Sequence, residues 1–496
     1  MLTAEFTEAV DALIQDTSLS NKALKARALR YLSLLPKDKL SGPPWAQRIQ
    51  KAIPKAAVFS TFHLFVALYA VADELKLVAG KRYVSATICA CYDRAISAAP
   101  VGSEHENQST TNLIQALDEV ASTWAAFVLW PFYAHGADIN LNPAPGETLA
   151  FWKDPPPRTE SERLKKLQQR RWKEQVMARD NYYSFMCGRY DIDWFLRQPN
   201  PPEGADNYDC DVIRIIKREV FAQDEDSMSA QDVDSLGTMR GILERYFGAD
   251  DALLAKAEGP QNMLFVNTSA CIGFRTFTWC LHPTKTPNRY KIKSYGPPNY
   301  AGSRHVTSRV TFVDHTGTQS HSPSQPQSES PPPSSSQAPA PAPALAGEMP
   351  LAAGSTEADP EPVPLPDPAL LRLHAALAGL LCLSGADRTF ECLFARPPWL
   401  PGLERWPAPR GAAFWASVVE YEGEETCLEI DLHQSVEELW EDMLERAVAA
   451  GEYERRPAAT NSREGSPSRH QGFRDGDACV SNYGLGLALD DGPNIL

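Results

Sequence analysis

An α+β protein is predicted, on three observations. Apolar residues recur at helical spacing through most of residues 1–150. Between residues 158 and 313 the pattern changes, and segments such as 289–295 and 306–313 alternate as strands among helices. From residue 316 to 367 the composition collapses to Pro, Ser, Ala and Gln, and a strongly apolar helix follows. The expected division is a mainly helical N-terminal region (1–150), a mixed module (158–313), a disordered linker (314–367), a helix packing on the module (368–395), and an unassigned, partly disordered acidic tail (396–496).

Composition bounds the rest. A chain of 496 residues with 43% hydrophobic content can build real cores in two or three domains. A net charge of −15 argues against a protein coated in nucleic acid, although an acidic average can hide a local basic face. The ten cysteines follow no regular framework and the N-terminus does not read as a signal peptide, which fits an intracellular protein, cytoplasmic or nuclear. The most apolar run, 56–71, carries Ser60, Thr61 and His63 and ends at Asp73 and Glu74. That suits a buried helix better than a membrane span. No small-molecule substrate is evident.

In the N-terminal region, Phe6, Val10, Leu13 and Ile14 mark a first helix and residues 23–35 a second, before Pro43-Pro44 breaks the unit. Longer apolar helices are expected over 57–78, 82–98 and 112–130. Cys89 and Cys91 lie roughly 200° apart on a helix and read as core thiols rather than shared ligands. A Pro-rich connector (142–157) leads to a basic helix with Lys165, Lys166, Arg170, Arg171, Lys173 and Arg179. A solvated face would explain it. Its place before the module gives the alternative that it lies along phosphates, together with Arg289, Lys291 and Lys293. Residues 232–247 read as a helix, Leu365-Pro366-Asp367-Pro368 as a helix start, and 435–449 as an acidic helix.

Between residues 179 and 292 stand Arg179-Asp180-Asn181-Tyr182-Tyr183-Ser184-Phe185-Met186-Cys187-Gly188-Arg189-Tyr190-Asp191, then Asp211-Val212-Ile213, Asn262 and Cys271-Ile272-Gly273-Phe274-Arg275. In order and spacing these resemble the HNH nuclease module of a large set of fungal proteins. There an Arg-Asp-x-Tyr-x-Cys-x-x-Thr-Gly knuckle precedes Ala-His-Ile, an Asn and a final His-x-x-Phe-Asp. The likeness spans roughly residues 83–392 and implies a ββα-metal module. In that family a His general base activates water, a divalent cation stabilises the phosphate, a second His holds the cation, and the Asn fixes the loop.

Carried over residue by residue, Gly188, Arg189, Tyr190, Asp191, Asn262 and Phe274 match. The general-base position falls on Val212 and the later His on Cys271; Ser184, Cys187 and Arg275 also depart from the pattern. Valine neither accepts a proton nor binds metal, and a thiolate is a poor partner for Mg²⁺. Asp211 alone would make a weak cation site. The resemblance therefore implies an HNH-endonuclease-like protein with impaired catalysis that retains nucleic-acid binding. The alternatives are a rewired endonuclease needing Mg²⁺ or Zn²⁺, and a non-enzymatic protein-interaction scaffold. Cys187, Cys210, Cys271 and Cys280 could in principle hold zinc, but no Cys-x-x-Cys pair exists and free buried cysteines are the preferred reading.

Overall fold

Hydroxyl caps set the first helices. In the computed structural model, which describes residues 3–47, 59–99, 105–136, 159–202, 204–217, 220–221, 230–295, 309–315, 362–394 and 432–451, Thr3 caps α1 (Ala4–Gln15) and Ser20 caps α2 (Asn21–Ser33). Ser60 caps α3 (Thr61–Glu74), its Oγ accepting from the His63 amide at 3.0 Å. The helix expected to run to residue 78 ends earlier. Lys76 is left-handed (φ 57°) and the Leu77 amide returns to the Ala72 carbonyl at 2.8 Å, so α4 (Val78–Ser97) starts afresh. No Gly or Pro marks that break. The next helix begins earlier than expected: α5 (His105–Trp124) runs through a π-helical turn (Ala125–Leu129) into α6 (Trp130–Gly136).

The basic helix is α7 (Glu160–Arg179). After it come β1 (Tyr183–Ser184), β2 (Arg189–Asp191), α8 (Ile192–Arg197), β3 (Asn207–Tyr208) and β4 (Cys210–Arg214). Next are α9 (Ala230–Ile242), α10 (Asp251–Ala255), β5 (Met263–Asn267), α11 (Thr268–Arg275), β6 (Trp279–Pro283), β7 (Arg289–Ser294) and β8 (Arg309–Thr311). Three small sheets result: β1-β2-β3, the antiparallel pair β4-β5, and antiparallel β6-β7-β8. The protein is thus α+β. Helices α12 (Pro368–Leu383), α13 (Ala386–Phe394) and α14 (Leu432–Ala449) complete the described elements. No helix among the described residues is long and apolar enough to cross a membrane.

One apolar core joins these elements within residues 1–454; the second unit, 455–496, lies outside the described residues, as does the segment 316–361. Leu24, Phe65 and Leu117 of the N-terminal helices share that core with Leu264 and Val266 of β5 and Leu370, Leu377 and Leu381 of α12. Polar contacts fix the same junctions. The Tyr246 hydroxyl donates to the Leu68 carbonyl at 2.6 Å, and Arg245 makes a two-pronged pair with Asp11 at 2.7 and 2.6 Å. Within the tail beyond residue 396, the acidic helix expected at 435–449 is present, and it is amphipathic. In α14, Val436, Trp440, Met443 and Ala447 are buried in the core, with Trp440 edge-on to Phe62 at 5.2 Å. Glu437, Glu438, Asp442 and Glu445 lie exposed on the opposite stripe.

Asp367 starts α12 by accepting from the amides of Ala369 (2.7 Å) and Leu370 (3.3 Å). Its own amide donates to the Gln261 carbonyl at 2.8 Å and its second oxygen takes Lys256 at 2.9 Å. One residue therefore caps a helix and ties it to the turn before β5.

Candidate functional site

The β4–β5 pair is closed at one end by Asn262. Its Oδ1 accepts from the Ile216 amide (2.9 Å), and its Nδ2 donates to the carbonyls of Ile216 (2.7 Å) and Ala257 (2.8 Å). Its own carbonyl accepts from the Ile215 amide at 2.8 Å. Asn262 has no exposed surface, so it positions the chain leaving β4 and touches nothing from solvent.

Strand parity decides which side chains α11 can meet. Val212 pairs with Phe265 and packs with it, Val176 and Met263 in a small cluster under α7. Asp211 and Ile213 take the other face, where Ile213, Leu264 and Val266 join the main core and α11 packs. The residue expected at the general-base position therefore faces away from Cys271, and the side chain turned towards α11 is Asp211. Burying Val212 contributes roughly 1.5–3 kcal/mol, which an imidazole there would forfeit.

Asp211 is already engaged. Its Oδ1 takes the Lys173 ammonium at 2.9 Å and the Val212 amide at 2.8 Å, and the Arg275 guanidinium approaches Oδ2 at 4.0 Å. A divalent cation would have to displace both cationic side chains, and among the described residues no group of three or more potential ligands is arranged around it. Cys271 is 4% exposed; burial, and then the Asp211 charge, pushes its thiol up to about 12. It stays protonated at neutral pH, and a lone sulfur is a poor partner for Mg²⁺. These residues do not fit Mg²⁺ or Zn²⁺.

The four cysteines do not converge either. Cys187 lies in the turn between β1 and β2 and Cys210 opens β4, whereas Cys280 is fully buried in β6 near Lys293 and Glu74. Among the described residues no group of three or more His, Cys, Asp or Glu is arranged to hold a metal ion. His282 lies 3.5 Å from Glu74, and burial lowers its basicity. His305 falls outside the described residues.

The basic residues divide into two groups. Lys165, Arg170 and Arg171 stand exposed on the second to fourth turns of α7 and form no ion pair among the described residues, while Lys166 is partly covered. Arg289 and Lys291 are exposed on β7, and Lys291 pairs in register with Arg309 of β8. Lys293 is committed elsewhere, holding Glu74 at 2.6 Å and lying 4.8 Å over the Tyr295 ring.

Two further residues organise this region: Arg179, expected among the phosphate-facing cations of the basic helix, and His374, which drew no functional expectation. Arg179, which ends α7, is fully buried. It grips Asp180 through two bonds (2.8 and 2.9 Å) and donates to the carbonyls of Pro364 (2.9 Å), Met263 (3.2 Å) and Pro260 (3.4 Å). It is thus withheld from any phosphate. His374 of α12 stacks on Phe274 at 3.7 Å, and its Nε2 lies 3.0 Å from the Phe274 carbonyl. Burial pushes its pKa down to about 3. The only advance signals were a basic residue at a helix end and a histidine on an apolar helix, and both have commoner explanations. Comparison with protein-family models, curated proteins and solved structures returns no match to this chain.

Proposed function

We propose that the chain is a catalytically silent relative of the HNH endonucleases that binds nucleic acid through the exposed basic turns of α7. The observation that carries the first half is the Asp211 cluster: Lys173 and Arg275 supply the positive charge that a metal ion would supply in an active site. An antiparallel pair followed by a helix, with a buried Asn fixing the loop, supports the resemblance. Lys165, Arg170 and Arg171 support the second half, because solvated cations that form no ion pair among the described residues are what phosphates recruit.

A plasmid-nicking assay on the full chain with Mg²⁺ or Zn²⁺ tests catalysis, and no cleavage above background is expected. Cleavage abolished by Asp211→Ala would establish the rewired nuclease instead. Duplex affinity measured against salt tests binding. Withdrawing one cation from a phosphate lowers the log–log slope by about 0.9, so replacing Lys165, Arg170 and Arg171 with Ala should flatten it by up to roughly three times that. A scaffold reading has one observation in its favour: Leu164 (56% exposed) and Leu167 (49% exposed) stand one turn apart on the same helix. Absent or salt-independent binding would select it.

A further inference from the structure

We propose that the aromatic stack on the knuckle, Tyr182, Trp194 and Tyr190 with Tyr183 beside it, is a polyproline-binding face whose occupant is the chain's own run from Pro331 to Pro343. Nothing in this inference depends on nucleic-acid binding or on the state of Asp211.

The face is built by the knuckle hairpin and the short helix after it. Tyr183 and Tyr190 are direct partners across β1 and β2, which puts both rings on one side of the hairpin, edge to face at 5.1 Å. The Asp191 carboxylate accepts from the Trp194 amide at 2.9 Å and starts α8 there. The indole then lies nearly parallel to Tyr190 (5.0 Å, 19°) and to Tyr182 (5.3 Å, 13°), so three flat rings form one continuous stack.

The stack and its helix stand open. Ile192, Trp194, Phe195 and Leu196 are apolar, yet α8 has no buried residue and Leu196 is 73% exposed. Tyr183 is exposed as well, and the three stacked rings are only half-buried. Clustered apolar surface of this kind marks an interaction site. The polar edges are open too: the Trp194 indole N–H and the hydroxyls of Tyr182, Tyr183 and Tyr190 make no hydrogen bond among the described residues. Flat rings with free donors suit a polyproline helix. Its proline rings pack on aromatic faces, and its carbonyls have no internal partner and accept from indole and phenol groups. An α-helix would offer no such carbonyls, because it uses them internally.

The chain brings such a ligand to this spot. The His315 amide donates to the Arg179 carbonyl at 3.1 Å, and the Arg179 guanidinium donates to the Pro364 carbonyl at 2.9 Å. Both ends of the segment 316–361, which lies outside the described residues, are thus tied to the residue three positions before Tyr182. The segment contains Pro331, Pro332, Pro333, Pro339, Pro341 and Pro343, and residues 330–346 carry no charged side chain. Tethered at both ends, the run meets the face at an effective concentration on the order of millimolar. Local charge disfavours a nucleic acid here, since Arg189 is paired with Asp206 at 3.5 Å and Asp193 stands exposed on α8.

The test uses a labelled peptide of residues 328–345 and two full-length chains. One is unsubstituted; the other has the six prolines named above changed to Ser, which keeps the tether length. The six-serine chain should bind the peptide at least roughly tenfold tighter, because the unsubstituted chain's own run competes for the face. In the six-serine chain Tyr183→Ala, at an exposed ring outside the core, should weaken the peptide at least roughly tenfold. A peptide with its prolines replaced by Ala should not bind. Absence of binding to the six-serine chain overturns the polyproline reading, and equal binding to both chains overturns the assignment of this run as occupant. Displacement of the peptide by oligodeoxythymidine would make the face a base-stacking surface, and a dimer split by Leu196→Ser would give it to a second copy of the chain. Should Tyr183→Ala fail to fold, the alanine peptide and the comparison of the two chains decide alone.

Discussion

Arg179 and Asp211 are both charged and both lie against the β4–β5 pair, yet they are built in opposite ways. Arg179 is wholly buried, and five hydrogen bonds meet its guanidinium from the knuckle, the turn before β5 and the segment entering α12. Asp211 is about a third exposed and is balanced by one close and one distant cation across solvent-reachable edges. A buried charge survives only if every partner is supplied, so removing one leaves the rest stranded. A surface charge is always partly answered by water. The frame around the strand pair should therefore be brittle and the Asp211 cluster forgiving.

The sharpest way to break this contrast is Arg179→Met, which keeps an unbranched apolar stem and removes the guanidinium. Asp180 and three carbonyls would lose their donor, and the expected cost is about 3–5 kcal/mol in urea denaturation of the full chain. A loss below roughly 1 kcal/mol would mean that water enters and the hub is not what holds residue 364 to residue 263. Asn262→Ala comes next, at about 2–4 kcal/mol, because it strands the Ile216 amide and two carbonyls in a site without solvent. Asn262→Asp sharpens the point. It keeps the acceptor for Ile216 but sets a carboxylate against the carbonyls of Ile216 and Ala257, so it should be worse than Ala at pH 7 and recover towards low pH.

His374 extends the comparison to a group that titrates. Its folded pKa of about 3 lies below the usual 6.5, so the unfolded chain binds its proton first as pH falls. Its contribution to stability is intact above about 6.5 and is lost progressively between there and about 3, at about 1.4 kcal/mol per pH unit. Moving from pH 7 to pH 5 should thus cost about 2 kcal/mol, measured as a shift in the urea midpoint. In His374→Leu that pH-dependent part should vanish, whatever the variant's stability at pH 7. An unchanged slope would show that other groups carry the acid sensitivity.

Much of this fold was legible and the site much less so. The helices of the N-terminal region and α12 announce themselves because apolar period and capping residues agree, as at Ser60 and Asp367. The break at Lys76 carries no such mark, since its left-handed residue is not glycine. At the site, sequence spacing brought Val212 forward, but spacing alone does not say which face of a strand a residue takes, and a one-residue offset exchanges the faces. Only the pairing of Val212 with Phe265 and of Asp211 with Val266 shows that the carboxylate faces α11. The carbonyls around Arg179 come from residues distant in sequence, joined by non-periodic loops, which leave no trace in composition or period.

The smallest effect is expected at Lys173, and it tests the forgiving side of the contrast. Lys173 and Asp211 are 50% and 35% exposed, so their 2.9 Å pair is screened by water and salt, and Arg275 remains nearby when the lysine goes. Lys173→Ala should cost less than about 1 kcal/mol, and less still in high salt. The same variant separates Lys173 from its neighbours in any nucleic-acid binding. An ammonium already neutralised by Asp211 has little counterion to release, so Lys173→Ala should barely move the salt slope of duplex binding, whereas Arg170→Ala should lower it by about 0.9. Were Lys173→Ala to cost more than about 2 kcal/mol, Asp211 would have to be treated as a buried charge like Asp180. Were it to lower the slope as much as Arg170→Ala, the Asp211 pair would open on binding, and the positive surface of α7 would extend to the strand pair itself.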